Sequence, residues 1–122
     1  MPQLRPLDPN FPIASQLGTN ASPVVLVNIF TVDAVDAAAL LEAWEKDALW
    51  MKAQPGFIST QLHRAIGESQ AFMNYAVWES VEHFRRAFTN PEFQQALASY
   101  PDSAVISPHL FQKMAVGNLC VE

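Results

Sequence analysis

The sequence predicts an α+β domain in which a four-stranded antiparallel sheet carries two helices on one face. Segments of alternating side-chain pattern and segments with helical spacing follow each other as strand, helix, strand, strand, helix, strand. Two right-handed crossovers around a central hairpin bring this βαββαβ order into one sheet. The length of 122 residues suits a single domain of this size.

Composition narrows the class of protein. Half of the residues are hydrophobic and 16% are charged, which indicates a folded globular chain. A net charge of −5, with no basic run beyond Arg85-Arg86, argues against nucleic-acid binding. The longest apolar run, Val24 to Val27, is too short to span a membrane, and the first twenty residues lack the apolar stretch of a signal peptide. We therefore expect a cytoplasmic protein that binds neither nucleic acid nor membrane.

The chain divides into an arm, a domain and a tail. Residues 1–22 are rich in Pro, Asn, Gln and Ser and form the arm, in which Phe11 and Ile13 could serve as anchors. Residues 23–116 form the domain, and residues 117–122 form a short tail. The sequence leaves open whether the arm covers a pocket, completes a dimer or has no role.

The first strand and helix come next. The strand is predicted over Val24–Val32, with both faces apolar except where Asn28 interrupts one of them, so both faces need cover. Asp33 is expected to cap a helix over residues 34–53, which Pro55-Gly56 brings to an end. The apolar stripe of this helix consists of Ala37, Leu41, Trp44, Ala48 and Met51.

A hairpin is predicted from Phe57–Arg64 and Phe72–Trp78, joined by a link that contains Gly67. In its second strand, Asn74 and Trp78 share one face, and both carry hydrogen-bonding groups that need partners when buried. Ser80 is placed to cap the helix that begins at Val81.

The last part of the domain contains a second helix start and a final strand. Asn90 as cap and Pro91 in the first turn are typical of a helix start. The final strand is predicted over His109–Val116. The complete order is that of a ferredoxin-like fold, which leaves one apolar sheet face bare. We therefore predict a homodimer in which two such faces pack together.

The chemistry-bearing residues are few. His63, His83 and His109 are far apart, so no metal site is predicted, and Cys120 allows no intrachain disulfide. Polar side chains among apolar ones remain as candidates: Asn28, Asn74, Trp78 and His63. Two interpretations stay open. The amides satisfy each other across neighbouring strands, or they bind a carbonyl or enolate oxygen, as neutral donors in a dry pocket do well.

Three segments resemble the antibiotic biosynthesis monooxygenase family. They are Val-Asn-Ile-Phe-Thr-Val at 27–32, Gln-Pro-Gly-Phe at 54–57 and Asn-Tyr-Ala-Val-Trp-Glu-Ser at 74–80, and the likeness extends over about residues 23–116. The resemblance implies a dimeric α+β barrel. The two asparagines and the tryptophan are similar to the pocket residues of cofactor-independent members that convert anthrones to quinones.

The resemblance also implies roles for individual residues. Asn28 and Asn74 would hold the substrate oxygens, Trp78 would contact the substrate or its peroxide, and His63 would assist proton transfer. Dioxygen would be the co-substrate, without flavin or metal, and a small aromatic compound the substrate. Pocket size is expected to depend on Trp44, Met51, Phe84 and Phe88. Phe84 stands where some relatives have a tyrosine, which removes one candidate hydroxyl.

Two alternatives share this fold. Haem degradation would need a tryptophan where this chain has Ala87 and an axial histidine where it has Leu97, so haem would bind weakly. The other alternative is a non-oxidative binder of small ligands, or an isomerase, because one fold hosts many functions. Consumption of dioxygen distinguishes the binder or isomerase from the predicted monooxygenase, and a Soret shift on addition of haemin would indicate the haem-degrading alternative.

Overall fold

The computed structural model of the protein describes residues 1–121, so Glu122, the last residue of the predicted tail, lies outside the described part. The strands are β1 Gln3–Leu4, β2 Val24–Thr31, β3 Phe57–Arg64, β4 Ala71–Trp78 and β5 Val105–Phe111. The helices are α1 Ile13–Gln16, α2 Ala37–Lys52, α3 Val81–Phe88 and α4 Pro91–Ala96, with 3₁₀ turns at Ala34–Asp36 and Leu97–Ser99.

The strands form one sheet in the order β1-β5-β2-β4-β3. The four strands of the predicted domain pair antiparallel, and β1 pairs parallel with β5. The α+β ferredoxin-like fold is confirmed, whereas a sheet of only four antiparallel strands is wrong. The arm supplies the fifth strand because the N–H groups of Gln3 and Arg5 donate to the carbonyls of Ala104 and Ile106, each at 2.9 Å.

The last strand begins at Val105, earlier in the chain than the predicted start at His109. The sequence predicts a loop up to His109 because the segment contains Pro108. Along the outer edge of β5, Ile106 bonds to the arm, and Leu110 exchanges hydrogen bonds with the Gln16 side chain. Pro108 lies between them, so by strand alternation its nitrogen faces the same edge, beyond the end of β1. A proline there costs the sheet no ladder hydrogen bond.

The start of α2 differs from the prediction. Residues 34–36 form a 3₁₀ turn, and the Asp33 side chain makes no capping hydrogen bond. Ser103, from a distant segment, instead fixes this turn, because its hydroxyl accepts from the Asp33 N–H at 3.1 Å and donates to Asp36 Oδ2 at 2.7 Å. The fully buried positions of the helix are Leu40, Ala43 and Asp47, so its inner face is rotated from the predicted stripe.

The predicted caps of the later helices are confirmed. Ser80 accepts from the His83 N–H at 3.1 Å, and Asn90 accepts from the Glu92 N–H at 2.9 Å. The turn before β3 depends on Gly56, which has φ +87°. A Cβ on Gly56 would lie 2.2 Å from the His83 ring, so the turn and the first residues of α3 can approach only with glycine there.

Two core clusters fill the space between the sheet and the helices. One is built around Phe30 and Phe72, and the other around Leu26 and Trp78. Asn28 lies between Leu26 and Phe30 on the inner face of β2, and the corresponding inner position of β4 also carries an asparagine. Asn28 and Asn74 therefore lie at the boundary between the two clusters, which we call the seam.

The opposite sheet face carries apolar side chains that the helices do not cover. Val27, Ile29 and Met73 are half-buried there, and Tyr75 and Phe111 are 39% and 44% exposed. Within residues 1–121, no helix is long and apolar enough to cross a membrane. The cytoplasmic location stays a prediction.

Candidate active site

Asn28 and Asn74 are direct partners across β2 and β4. Both strands lie in the interior of the sheet, and both asparagines face the helices. The sequence prediction that the two amides could meet across neighbouring strands is thus confirmed at the level of register. Two amides opposite each other on one rigid ladder form a polar patch on an otherwise apolar wall.

Thr60 orients one of these amides. Its hydroxyl donates to Asn74 Oδ1 from the neighbouring strand β3. Since this bond occupies the amide oxygen, the Nδ2 donors of Asn74 are the groups that remain for a ligand. Sequence analysis did not include Thr60 in the site. The signal was present, because strand alternation in the predicted hairpin places Thr60 on the same face as Asn74.

Asn28 offers the opposite kind of group, an acceptor rather than a donor. Among the residues that the structure describes, its Oδ1 is buried without a hydrogen-bond partner. Leaving a buried acceptor unsatisfied costs about 1–3 kcal/mol, so such a group marks a place where a ligand donor or a water fits. Although the two residues are register partners, their described side chains make no hydrogen bond to each other, and the seam offers donors from Asn74 and an acceptor from Asn28.

A cavity of about 60 Å³ lies over the two amides. It has room for a few water-sized molecules and is smaller than the roughly 300–1,000 Å³ of common small-molecule sites. The structure brings five of the predicted site residues to its wall: Asn28, Asn74, Trp78, Trp44 and Met51. Its other lining residues are Leu26, Phe30, Asp47, Ala48, Phe57, Thr60, Ala76, Phe93, Leu97, Tyr100 and Ile106.

Three predicted site residues are not on this wall. His63 lies on the outer sheet face, exposed, with Nδ1 3.3 Å from the Met73 carbonyl oxygen. Phe84 is fully buried in the core, edge-on to Trp78 at a ring-centre distance of 5.7 Å. Phe88 stacks on Phe84 at 5.2 Å. The two phenylalanines therefore support the Trp78 side of the cavity from behind.

Asp47 is the residue that sequence analysis missed. It projects from α2 into the cavity wall and is only 7% exposed. Burial raises the pKa of its carboxyl from 3.8 to about 6, and a hydrogen bond from the Tyr100 hydroxyl opposes this rise. Burial and the nearby carboxylate raise the pKa of Tyr100 well above its ordinary value, so its hydroxyl stays protonated. The available signal was spacing, because Asp47 follows Ala43 by one helical turn.

A wider groove of about 420 Å³ lies next to the cavity, between α2 and β3. Trp44, Ala48, Phe57 and Thr60 line both spaces. Leu49 and Ile58 add exposed apolar surface to the groove, and Glu45 and Lys52 add charge. A ligand too large for the cavity therefore has a second, open compartment across a shared wall.

Metal-ligating side chains do not converge here. Within residues 1–121, no group of three or more His, Cys, Asp or Glu residues is arranged to hold a metal ion. The lining offers two neutral amides, one carboxyl, one phenol, one threonine hydroxyl and two indoles. These groups suit hydrogen bonding and proton transfer to an organic ligand.

The candidate site thus places an amide pair and a buried carboxyl in one largely apolar cavity of a small ferredoxin-like domain. The model of the antibiotic biosynthesis monooxygenase family matches residues 23–99. The chain belongs to this family, so the predicted resemblance is confirmed. Its relatives are named as monooxygenases, in agreement with the predicted oxidoreductase class.

Individual relatives agree with this assignment. The chain is 34% identical over 76 residues to deoxynogalonate monooxygenase of Streptomyces nogalater, a match that covers 62% of this chain and 64% of that protein. The crystal structure of SnoaB, a cofactor-independent oxygenase from Streptomyces nogalater, superposes with a TM-score of 0.71 and 28% identity, over 80% of this chain and 99% of that one. The structure of a candidate monooxygenase from Shewanella loihica PV-4 superposes with a TM-score of 0.67 and 34% identity. The match covers 81% of this chain and 100% of that one.

Proposed function

We propose that the protein is a cofactor-independent monooxygenase that oxidises an electron-rich polycyclic phenol or anthrone to a quinone with dioxygen. The single observation that carries this proposal is the amide pair, with donors left on Asn74 and an unpartnered acceptor on Asn28. A substrate with an oxygen anion and a neighbouring hydroxyl on one ring edge matches this arrangement. The anion would meet the Asn74 donors, and the hydroxyl would meet the Asn28 acceptor. The name of SnoaB as a cofactor-independent oxygenase supports the same chemistry.

The reaction needs no external reductant. Loss of a proton from the anthrone methylene leaves an electron pair on carbon, delocalised onto the ring oxygens. This anion transfers electrons to dioxygen and forms a carbon–oxygen bond to a peroxide. Cleavage of the oxygen–oxygen bond, with loss of the second methylene proton, gives the quinone carbonyl and water. All four electrons come from the substrate, so one dioxygen atom enters the product and the other leaves as water.

The amides act on the anion that this sequence forms. Asn74 Nδ2 donates to the developing oxyanion, and Asn28 Oδ1 holds a ring hydroxyl in place. Fixed neutral donors in a site that excludes water are worth a few kcal/mol each to a developing charge. Trp78, 1% exposed, closes the apolar side of the cavity where dioxygen would meet the carbanion.

Cavity size limits how the substrate is held. The cavity of about 60 Å³ admits the reacting ring edge but not three fused rings. The rest of the substrate therefore occupies the groove between α2 and β3, and Trp44 and Thr60 border the passage between the two spaces.

Labelled dioxygen tests this function. Purified, metal-stripped protein is incubated with several hydroxyanthrones under isotopically labelled dioxygen, and the quinone is analysed by mass spectrometry. We expect one labelled oxygen atom per quinone, formed faster than in buffer alone. Heat-denatured protein is the control for spontaneous oxidation.

The same assay separates the alternatives. Absence of label above background across all hydroxyanthrones would sink the proposal and favour a non-oxidative binder or isomerase. Haem degradation has less support, because the position aligned with its axial histidine is Leu97, which lines the cavity with an aliphatic side chain. Added haemin is accordingly expected to leave its Soret band unshifted.

We further propose that the protein is a homodimer joined through the outer sheet face. The support is the half-buried apolar surface formed by Val27, Ile29 and Met73, with Tyr75 and Phe111 beside it. Soluble monomers rarely leave such a contiguous patch open. Sedimentation at micromolar concentration should give twice the monomer mass of 13.5 kDa. Tyr75→Lys should shift the measured mass towards that of the monomer. A wild-type monomer would contradict this proposal.

A further inference from the structure

The proposed reaction begins with removal of a proton, and the amides cannot take it. Asparagine side chains donate and accept hydrogen bonds but have no basic site near neutral pH. Among the described residues that line the cavity, only Asp47 and Tyr100 titrate. Tyr100 keeps its proton, which leaves one group with the right chemistry.

We propose that Asp47 is the general base of this site, a catalytic residue that takes the substrate proton while the amide pair holds the oxyanion. The proposal rests on the proposed function, because it assigns the proton acceptor of that reaction. Asp47 belongs to α2 and the amides to the sheet, so the base and the oxyanion donors come from opposite walls of one cavity.

The surroundings of Asp47 fit this role. The other α2 residues on the cavity wall, Trp44, Ala48 and Met51, are apolar, and Phe93 of α4 is apolar as well. The amides and Thr60 contribute neutral polar groups from the sheet, and Tyr100 contributes a neutral hydroxyl. No cation in the lining pairs with the carboxylate. An unpaired, largely buried carboxylate is a stronger base than one in water, and a general base works best when its pKa is near the working pH.

Asp47 takes up one proton during the reaction and releases it again. The carboxylate takes one proton from the methylene carbon, and the electron pair of the broken carbon–hydrogen bond stays on the substrate. After dioxygen has added, the protonated Asp47 returns this proton to the outer peroxide oxygen. That oxygen leaves as water when the oxygen–oxygen bond breaks and the second methylene proton is lost. Asp47 ends the cycle ionised, as it began.

A partial reaction isolates the proton step from oxygen chemistry. Under strictly anaerobic conditions in deuterium oxide, the wild-type protein should catalyse exchange of the methylene protons of a dihydroxyanthrone, followed by NMR. Asp47→Asn should reduce exchange to the buffer rate. It should also lower aerobic kcat/KM by about 100-fold to 10,000-fold, the range that general-base catalysis contributes.

The pH profile gives a second readout. Wild-type kcat/KM should rise with pH through about 6, as the carboxyl loses its proton. Asp47→Asn should remove this rise. Tyr100→Phe is the companion variant, because loss of the hydroxyl that stabilises the carboxylate should move the rise to higher pH without removing it. Asp47→Glu, which keeps the carboxyl, should retain measurable exchange, and thermal melting checks that each variant is folded.

The outcomes separate this inference from the function on which it rests. If the wild type incorporates label and a folded Asp47→Asn keeps both exchange and the pH rise, Asp47 is not the base, although the function stands. If the wild type catalyses exchange through Asp47 but never incorporates label, the base is supported and oxygenation is refuted. If the wild type catalyses neither reaction, both proposals are refuted.

Discussion

Replacing Asn74 with alanine should lower the turnover of a hydroxyanthrone by about 100-fold to 1,000-fold, because it removes the donor aimed at the developing oxyanion. The melting temperature should change little, since the side chain makes one hydrogen bond to Thr60, worth about 1 kcal/mol. Steady-state kinetics and thermal unfolding of the same preparation measure both quantities.

Thr60→Val provides the matched control for this variant. It removes the hydroxyl that orients the amide but leaves the amide in place, so turnover should fall by less than in Asn74→Ala. Two results would count against the role of Asn74. One is near-normal turnover in Asn74→Ala, and the other is a large loss of stability, which would assign the amide to structure.

Lowering the pH from about 7 to about 4 should increase the contribution of Asp47 to the free energy of unfolding. Its pKa is about 6 in the folded protein and 3.8 when unfolded, so across this interval the folded state binds a proton that the unfolded state does not. The stabilisation is complete below the unfolded pKa and is lost as pH rises through the folded pKa. A difference of about two pKa units corresponds to about 3 kcal/mol.

Asp47→Asn isolates this contribution from the other titrating groups. Urea unfolding of both proteins at several pH values should give a difference in stability that varies by about 2 kcal/mol between about pH 7 and about pH 4, with the variant favoured at the higher pH. Parallel pH dependences in the two proteins would show that the Asp47 carboxyl is not desolvated, which would also weaken the case for its basicity.

The sequence predicted that the two amides could meet because strand alternation and the order of the elements are sufficient for that expectation. Strand alternation fixed the face of Asn28 and Asn74, and the order of elements made their strands neighbours. The structure added the register, which no local pattern contains. The Pro-Gly turn and the Ser80 and Asn90 caps were equally predictable, since each depends on a few adjacent residues.

The features that sequence missed depend on contacts distant in the chain. Asp47 lies one turn from Ala43, yet a charged residue at the edge of an apolar stripe is usually solvated. Only tertiary packing, which also brings Tyr100 to its carboxyl, buries it. β1 is too short to show a period and exists because the edge of β5 is open to it. The same edge explains why Pro108 can lie within a strand.

The candidate site lies partly on an edge strand and partly on interior strands, and these two kinds of strand differ in local stability. Asn28 and Asn74 lie on interior strands, hydrogen-bonded on both sides, whereas Thr60 lies on β3, a strand with one unpaired border. Local unfolding in proteins begins at such borders, at a free energy far below that of global unfolding. We therefore expect the wall that Thr60 shares with the groove to open more readily than the strands that hold the amides. In this protein, the entrance of the candidate site lies on an edge strand, and its amide pair lies on interior strands.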